Sequence, residues 1–489
     1  MKDNIKLLYI DLFCGAGGTT TGVERARVLG RKVAKVIACV NHDPHAIASH
    51  LANHPGAVHF TEDIRTLELS GLKEIAQRQR LAHPGAKLVL WASLECTNFS
   101  NAKGGQPRDA DSRTLAEHLY RYIETLDPDY IQIENVREFM SWGELDENGR
   151  PVSRDRGRLY MRWVNGIKRH GYTYAWRILN SANYGAYTSR ERFFGVFARK
   201  GLPVAFPEPT HQRNPEGGLF GSLKAWKPVR EVLDLEDAGR SIFREKKLSE
   251  RTLERIYAGL IKFVAKGQTQ WLSKQFSGDP EGKNISIEGP AGTVTCKDHH
   301  AFLTTYYGNG SAVSVDGPAP TVTTKDRMSL NTVQFLDQQY GNGTPASIDR
   351  PANTITTNPK FHLVSVKTQF LVNPQFSSEG SSVDRPCFTL IARMDKKPPY
   401  LVTTETGEAA IAVYPDDSPM ERKIKAFMAE YGITDIYMRM LTIRELLRIQ
   451  GFGDAYKLVG TSSEQKKYIG NAVETHMAAA LCESLAMAI

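Results

Sequence analysis

The sequence is poor in cysteine, with six in 489 residues, at Cys14, Cys39, Cys96, Cys296, Cys387 and Cys482. No two of them form a CxxC pair, so no metal site, zinc least of all, is suggested. Their scatter, in a chain expected to stay in a reducing compartment, argues against disulfides. The chain also lacks any apolar run of about 18 residues, so no membrane-spanning helix is indicated. Its start, MKDNIKLLYIDLF, has no basic leader, long apolar stretch and small-residue cleavage site. A signal peptide is therefore not expected, and a cytoplasmic protein is. Neither sign of charge dominates: the formal balance is +8, with 24% charged and 41% hydrophobic residues. That is an ordinary globular composition with a slight lean toward a polyanionic partner.

What is present divides by texture. Residues 1–204 alternate short apolar runs with amphipathic ones: KLLYIDLF then TTTGVERARVL, KVIACV then HAIASHLANH, KLVLWAS then TLAEHLYRYIETL, then YIQIEN. Strand alternating with helix predicts an α/β fold with a mostly parallel sheet, and ligands then bind at the carboxyl ends of the strands. From 205 to 455 Pro, Gly, Thr and Asn become frequent, predicting a second, β-rich domain. A degenerate repeat, ISIEGPAGTVT, VSVDGPAPTVT, ASIDRPANTIT and SSVDRPCFTLI, occupies 284–391. Each unit reads as a strand pair around a proline turn, either bracing the domain or offering loops to an extended partner. The segment 456–489 ends in a helix, KKYIGNAVETHMAAALCESLAMAI, apolar on a wide face and expected to return to the first domain.

Five polar stretches fall where ligands are expected. YIDLFCGAGGTTTGVERA carries Gly15, Gly17, Gly18 and Gly22 between a strand and a helix, a turn that lets a ligand approach the backbone. It has no Lys-Ser/Thr pair to cradle a triphosphate. The second strand ends in VNHDP, with Asn41 where a nicotinamide enzyme would place an acid. The next strand end offers Asp63 and Ile64, an amino-group acceptor beside a flat apolar contact, as an adenine requires. These residues alone give a nucleotide-like cofactor of unresolved type. Cys96 lies in SLECTNFSNAKGGQPRDADSR, at the ligand end of the sheet, with Lys103, Arg108 and Arg113. Those cations favour a thiolate and suit phosphates. Glu134 and Asn135 end a strand one helix away, so a thiol and a carboxylate face one cleft, as an acid-assisted nucleophile requires. Arg190 and Arg192 alternate on a strand and share a face. Finally, the Gly-Asn turn of YIGNAV is read as opening the terminal helix, where free amide groups would hold a carboxylate.

In their order, DLFCGAGG, EDIRTL, the cysteine loop, ENV, RERFF, RELLRIQGF and GNAV resemble the DNA cytosine-5 methyltransferase family, over residues 7–200 and 438–489. The resemblance implies a Rossmann-like, S-adenosylmethionine-dependent methyltransferase domain with a target-recognition domain in the middle. It implies methyl transfer to C5 of a cytosine flipped out of double-stranded DNA. Carried over by motif, Phe13 stacks on the adenine, Gly15 and Gly17 admit the methionine portion, and Asp63 with Ile64 flank the adenine. Asp11, Gly18, Asn41 and His42 complete that side, while Asn471 and Val473 meet the cofactor's amino-acid end. Cys96 attacks C6, Glu134 engages N3, and Arg190 and Arg192 hold the base. Ser100, Lys103, Arg108 and Arg113 then face DNA. A monomer is expected, with a restriction endonuclease as a separate partner and a bacterial or phage source. The chemical alternatives are a tRNA cytosine methyltransferase on the same fold and an inactive DNA-binding homologue. Two positions depart from the family pattern. Glu95 stands for the usual proline before the cysteine, with Thr97 for glutamine after it. Asn41 stands for the usual acid at the ribose, which implies weaker cofactor binding.

Overall fold

The structure is a computed structural model. It describes residues 4–94, 115–143, 157–215, 223–234, 237, 240–263, 411–431 and 433–489. Between 264 and 410 it describes the strand segments 270–274, 300–304, 335–338, 346–347, 361–364, 368–373, 381–382 and 400–406.

The first unit is built on seven strands: β1 (Leu7–Leu12), β2 (Ala34–Val40), β3 (Val58–Phe60), β4 (Lys87–Ser93), β5 (Tyr130–Asn135), β6 (Tyr172–Asn180) and β7 (Glu191–Arg199). Their spatial order is β3-β2-β1-β4-β5-β7-β6, and β7 alone runs against its neighbours. Strands β1 and β5 are buried along their whole length. That is why β1 reads as a nearly continuous apolar run rather than an alternating one, whereas β5 buries Gln132, Glu134 and Asn135 among its apolar residues. Helices α1 (Gly18–Arg25), α2 (Pro44–Asn53), α3 (Ser70–Ala82), α4 (Leu119–Leu126) and α5 (Arg158–Arg169) cover the sheet. Two apolar clusters result. One joins Leu8, Ile10, Leu88, Leu90, Ile131 and Phe193 to α3–α5; the other joins Tyr9, Val23, Trp91 and Val196 to the end of the chain. Strand order reverses at β1 and β4, so the cleft opens above their carboxyl ends.

The chain then passes through α6 (Glu250–Phe263), α7 (Pro419–Tyr431), α8 (Ile443–Ile449), α9 (Ser462–Asn471) and α10 (Thr475–Ala488). A second seven-stranded sheet includes an antiparallel pair, Tyr400–Thr406 against Ile433–Met440, with Tyr400 opposite Met440. Its apolar core draws on Leu253, Ile256, Ile424, Phe427, Leu446 and Ile469. Of the degenerate repeat, the described residues are Ala346–Ser347 and Ser381–Ser382, each in a short strand. The proline turns lie outside the described residues. Among the described residues no helix is long and apolar enough to cross a membrane.

The returning helix lands on α1. Its Met477, Ala478, Leu481 and Leu485 are buried with Val23 and Leu7. The approach is close: a Cβ on Gly22 would lie 2.4 Å from the Thr475 carbonyl oxygen and 2.6 Å from Ala478 Cβ. At the far end Lys6 Nζ donates to the carbonyls of Ala486 and Ile489, at 2.9 and 2.8 Å.

Candidate active site at the carboxyl ends of the strands

The turn after β1 carries the first group. Phe13 has φ of 59°. A bulky side chain in the left-handed region stores strain of order 1–3 kcal/mol, which only a fixed surrounding sustains. Phe13 packs at the edge of the apolar cluster that contains buried Ile64. Gly15 has φ of 52°, and a Cβ there would meet nothing within 4 Å, so this backbone faces open space. The neighbouring glycines serve the protein instead. A Cβ on Gly17 would lie 2.5 Å from Tyr456 Oη, and one on Gly18 would lie 2.4 Å from the Val473 carbonyl. The close neighbour of Gly17 is Tyr456, whose hydroxyl donates to the Ala16 carbonyl.

Asp11 is fully buried at the end of β1. Its Oδ2 accepts from Thr20 Oγ1 at 2.8 Å, while Oδ1 has no hydrogen-bond partner among the described residues. Burial pushes this carboxyl well up, against the opposing Thr20 bond. A buried acceptor without a partner is uncommon in a folded protein. Asn41 is half-buried, and its Oδ1 already accepts from the Asp43 amide at 2.9 Å. His42 is exposed. Asp63 is not a free acceptor, because Arg65 grips it through Nε at 3.0 Å and Nη2 at 2.6 Å. Those bonds hold its carboxyl below the usual range.

The second group lies one strand along. The β4–β5 register sets Ser93 opposite Glu134. Asn135 Nδ2 then donates to the Leu94 carbonyl at 3.2 Å, fastening the last described residue before the cysteine loop to the end of β5. Cys96 itself lies outside the described residues, as do Glu95, Thr97, Ser100, Lys103, Arg108 and Arg113. Glu134 is 6% exposed, and Arg192 Nε stands 3.5 Å from its Oε1. Arg190 and Arg192 are both buried while Glu191 between them is exposed, so the two share the inward face. Burial raises the Glu134 carboxyl; the Arg190 and then the Arg192 guanidinium pull it back, leaving it above its ordinary value.

The GNAV segment differs from its sequence reading. Gly470 and Asn471 are the last residues of α9, and α10 starts only at Thr475, capped by Glu474. A helix end presents carbonyls, not free amides, and the Gly470 carbonyl accepts from Arg190 Nη1 at 3.1 Å. No carboxylate can be held there by a helix start. Val473 is buried against Gly18, so the C-terminal segment forms one wall of the cleft. Asp43, the cap of α2, takes the Tyr468 hydroxyl at 3.0 Å and secures α9 to the same wall. Tyr456, Tyr468, Gly470 and Thr20 were not singled out from sequence. Three of them come from the far end of the chain, and no local pattern marks them.

The described residues thus show a mixed α/β fold with a buried acid–arginine centre at the carboxyl ends of its strands. The chain belongs to the C-5 cytosine-specific DNA methylase family, whose sequence model matches residues 7–487. It is 30% identical over 217 residues to the Type II methyltransferase M.XorII of Xanthomonas oryzae, covering 44% of this chain and 46% of that one. It is 27% identical over 220 residues to M1.HphI of Haemophilus parahaemolyticus, covering 44% and 53%. It is 30% identical over 211 residues to M.AgeI of Thalassovita gelatinovora, covering 43% and 44%. The matched segments thus span about half the length of these relatives.

Proposed function

We propose that the chain is a DNA cytosine-5 methyltransferase acting as a monomer on duplex DNA. Cytosine C5 is a poor nucleophile until a group adds at C6. In this proposal the Cys96 sulfur forms that bond to a cytosine flipped from the helix. Glu134 hydrogen-bonds or protonates N3, which relieves the charge that the addition places on the ring. Arg192 orients Glu134, and Arg190 ties that centre to the Gly470 wall. The cofactor S-adenosylmethionine, when bound, supplies an electrophilic methyl group. Phe13, Ile64, Asp63, Asp11, Gly15 and the Val473 wall would hold it, with Asn41, His42 and Asn471 at its rim. After C5 has been methylated, loss of its proton and departure of the sulfur restore the aromatic ring and the free Cys96.

The observation that carries this reading is the pairing of Ser93 with Glu134, which sets the root of the cysteine loop beside a buried carboxylate and two buried arginines. The names of the relatives, Type II methyltransferases, extend the proposal to a cytoplasmic enzyme of bacterial or phage origin working alongside a separate restriction endonuclease. The region 205–455 would then read the target sequence.

The test is covalent trapping on duplex carrying 5-fluorocytosine, because fluorine at C5 cannot leave as a proton does. The wild-type protein with S-adenosylmethionine should remain attached, and Cys96→Ala should bind the same duplex without attachment. Trapping by Cys96→Ala refutes the nucleophile. Methyl incorporation into tRNA but not duplex DNA moves the substrate to RNA, and no trapping on a duplex that is bound supports an inactive DNA-binding homologue.

A further inference from the structure

Beneath the turn that carries Phe13 lies a cluster that the proposed reaction does not use. Cys14 follows β1, Cys39 sits near the end of β2, and His50 is on the second turn of α2. All three are buried, with exposures of 6%, 0% and 0%. Their two sulfurs and one ring nitrogen lie within 4.8 Å of one another. Cys39 Sγ stands 3.7 Å from His50 Nδ1. For a tetrahedral ion with sulfur at about 2.3 Å and nitrogen at about 2.05 Å, the S···N edge is about 3.6 Å.

The histidine is also oriented as a ligand requires. His50 Nε2 is 3.0 Å from Thr20 Oγ1, which donates its own proton to Asp11 Oδ2 at 2.8 Å. With the Thr20 proton committed to Asp11, the oxygen of Thr20 accepts, so His50 carries its proton on Nε2. The Nδ1 lone pair is then directed at the sulfur side. A ring whose far nitrogen is fixed through a hydroxyl to a carboxylate is the outer-shell arrangement that supports metal-bound histidine. His59 Nε2 lies 2.9 Å from His50 Nδ1, to which it donates; it stands outside the mutually close set of three and reaches an ion only by turning its ring.

We propose that Cys14, Cys39 and His50 bind one soft divalent cation of the zinc class under the cofactor turn, with His59 swinging off His50 to take the fourth position. Thiolate and imidazole donors select such ions over magnesium or calcium. Binding is an exchange in which each protonated thiol gives its proton to solvent as its sulfur takes the ion, and His59 moves its proton to the other ring nitrogen. The sequence hid the site because its donors come from a turn, two strands and a helix rather than from a CxxC pair. An ion here would clamp β1, β2, β3 and α2 at one point.

The test uses Co2+ as the probe, added to the full chain under anaerobic, reducing conditions. One equivalent should produce thiolate-to-cobalt charge transfer and the intense visible bands of tetrahedral geometry, and one equivalent of Zn2+ should abolish them. Cys96→Ser should keep the signal; Cys14→Ser and Cys39→Ser should lose it. Because buried changes can unfold a protein, half-exposed His59→Ala supplies a second arm, expected to weaken affinity about 10–100-fold. Absence of the bands in wild type, bands that survive Cys39→Ser, or unchanged affinity in His59→Ala overturns the site. So does a Cys14–Cys39 disulfide in protein that takes up no metal, which would make the pair a redox couple.

Discussion

Glu134 concentrates the chemistry at the scale of a single residue. It is buried, faces two arginines, and has its carboxyl pushed up by desolvation more than the guanidinium groups pull it down. A raised value means that the proton-bearing form persists to higher pH, and that form is the one able to donate to N3. The single-turnover rate is therefore expected to hold at low pH and to fall as pH rises through the Glu134 value. The sign for stability is the same. The folded value lies above the unfolded one, so the contribution is full below the unfolded value and is lost as pH rises through the folded one. Glu134→Gln should slow methyl transfer about 10²–10⁴-fold and remove that alkaline limb. A rapid-quench pH series checks both, and an unchanged rate takes Glu134 out of the acid role. Glu134, Arg190 and Arg192 were legible in the sequence because each sits in a short run at a strand end. The Gly470 carbonyl that meets Arg190 was not, since 280 residues separate the two and nothing local to either announces the other.

Among the elements, the strands and helices of residues 1–204 were readable because fully buried strands and amphipathic helices have different periods. The terminal segment was misread in one respect. KKYIGNAVETHM looked like one helix entered at Gly-Asn, yet the chain breaks between Asn471 and Thr475. The break sets Val473 against Gly18 and lets Glu474 cap α10 through the amides of His476 and Met477. A capping acid inside an apolar run gives little signal when the residues around it suit a helix equally well. The glycines of α1 are explained by the same packing. Gly22 is in a helix, where glycine costs about 1 kcal/mol relative to alanine. Despite that gain, Gly22→Ala should destabilise the protein by about 1–3 kcal/mol, because its methyl meets backbone atoms that cannot step aside. Gly56→Ala, with nothing within 4 Å of its Cβ, should stay within about 0.5 kcal/mol of wild type. Urea unfolding of the two variants decides the matter, and equal midpoints would mean that α1 and α10 are not held as closely as described.

Across the whole molecule, the formal charge of +8 gives the chain only a slight lean toward DNA, so the placement of cations matters more than their number. Lys103, Arg108 and Arg113 follow Cys96 in the sequence, after Leu94, which the Asn135 side chain holds beside Glu134. If these cations meet the strand from which the cytosine has left, they neutralise phosphates next to the vacated position. Each phosphate neutralised releases condensed counterions, and the slope of log K against log salt steepens by about 0.9 per contact on duplex DNA. Three contacts give about 2.7, so replacing all three residues by alanine should reduce the magnitude of the slope by about that amount. The change should be similar for specific and unrelated duplexes, because phosphate contacts position a protein without reading bases. Substitutions in 205–455 that touch base edges should do the reverse, leaving the slope in place while eroding discrimination by about 1–3 kcal/mol per contact. Anisotropy titrations over a salt series, run on a methylated-site duplex and a scrambled one, separate the two effects. A slope unaltered by the triple substitution would place the DNA backbone away from the cysteine loop, and with it the cleft through which the base is proposed to enter.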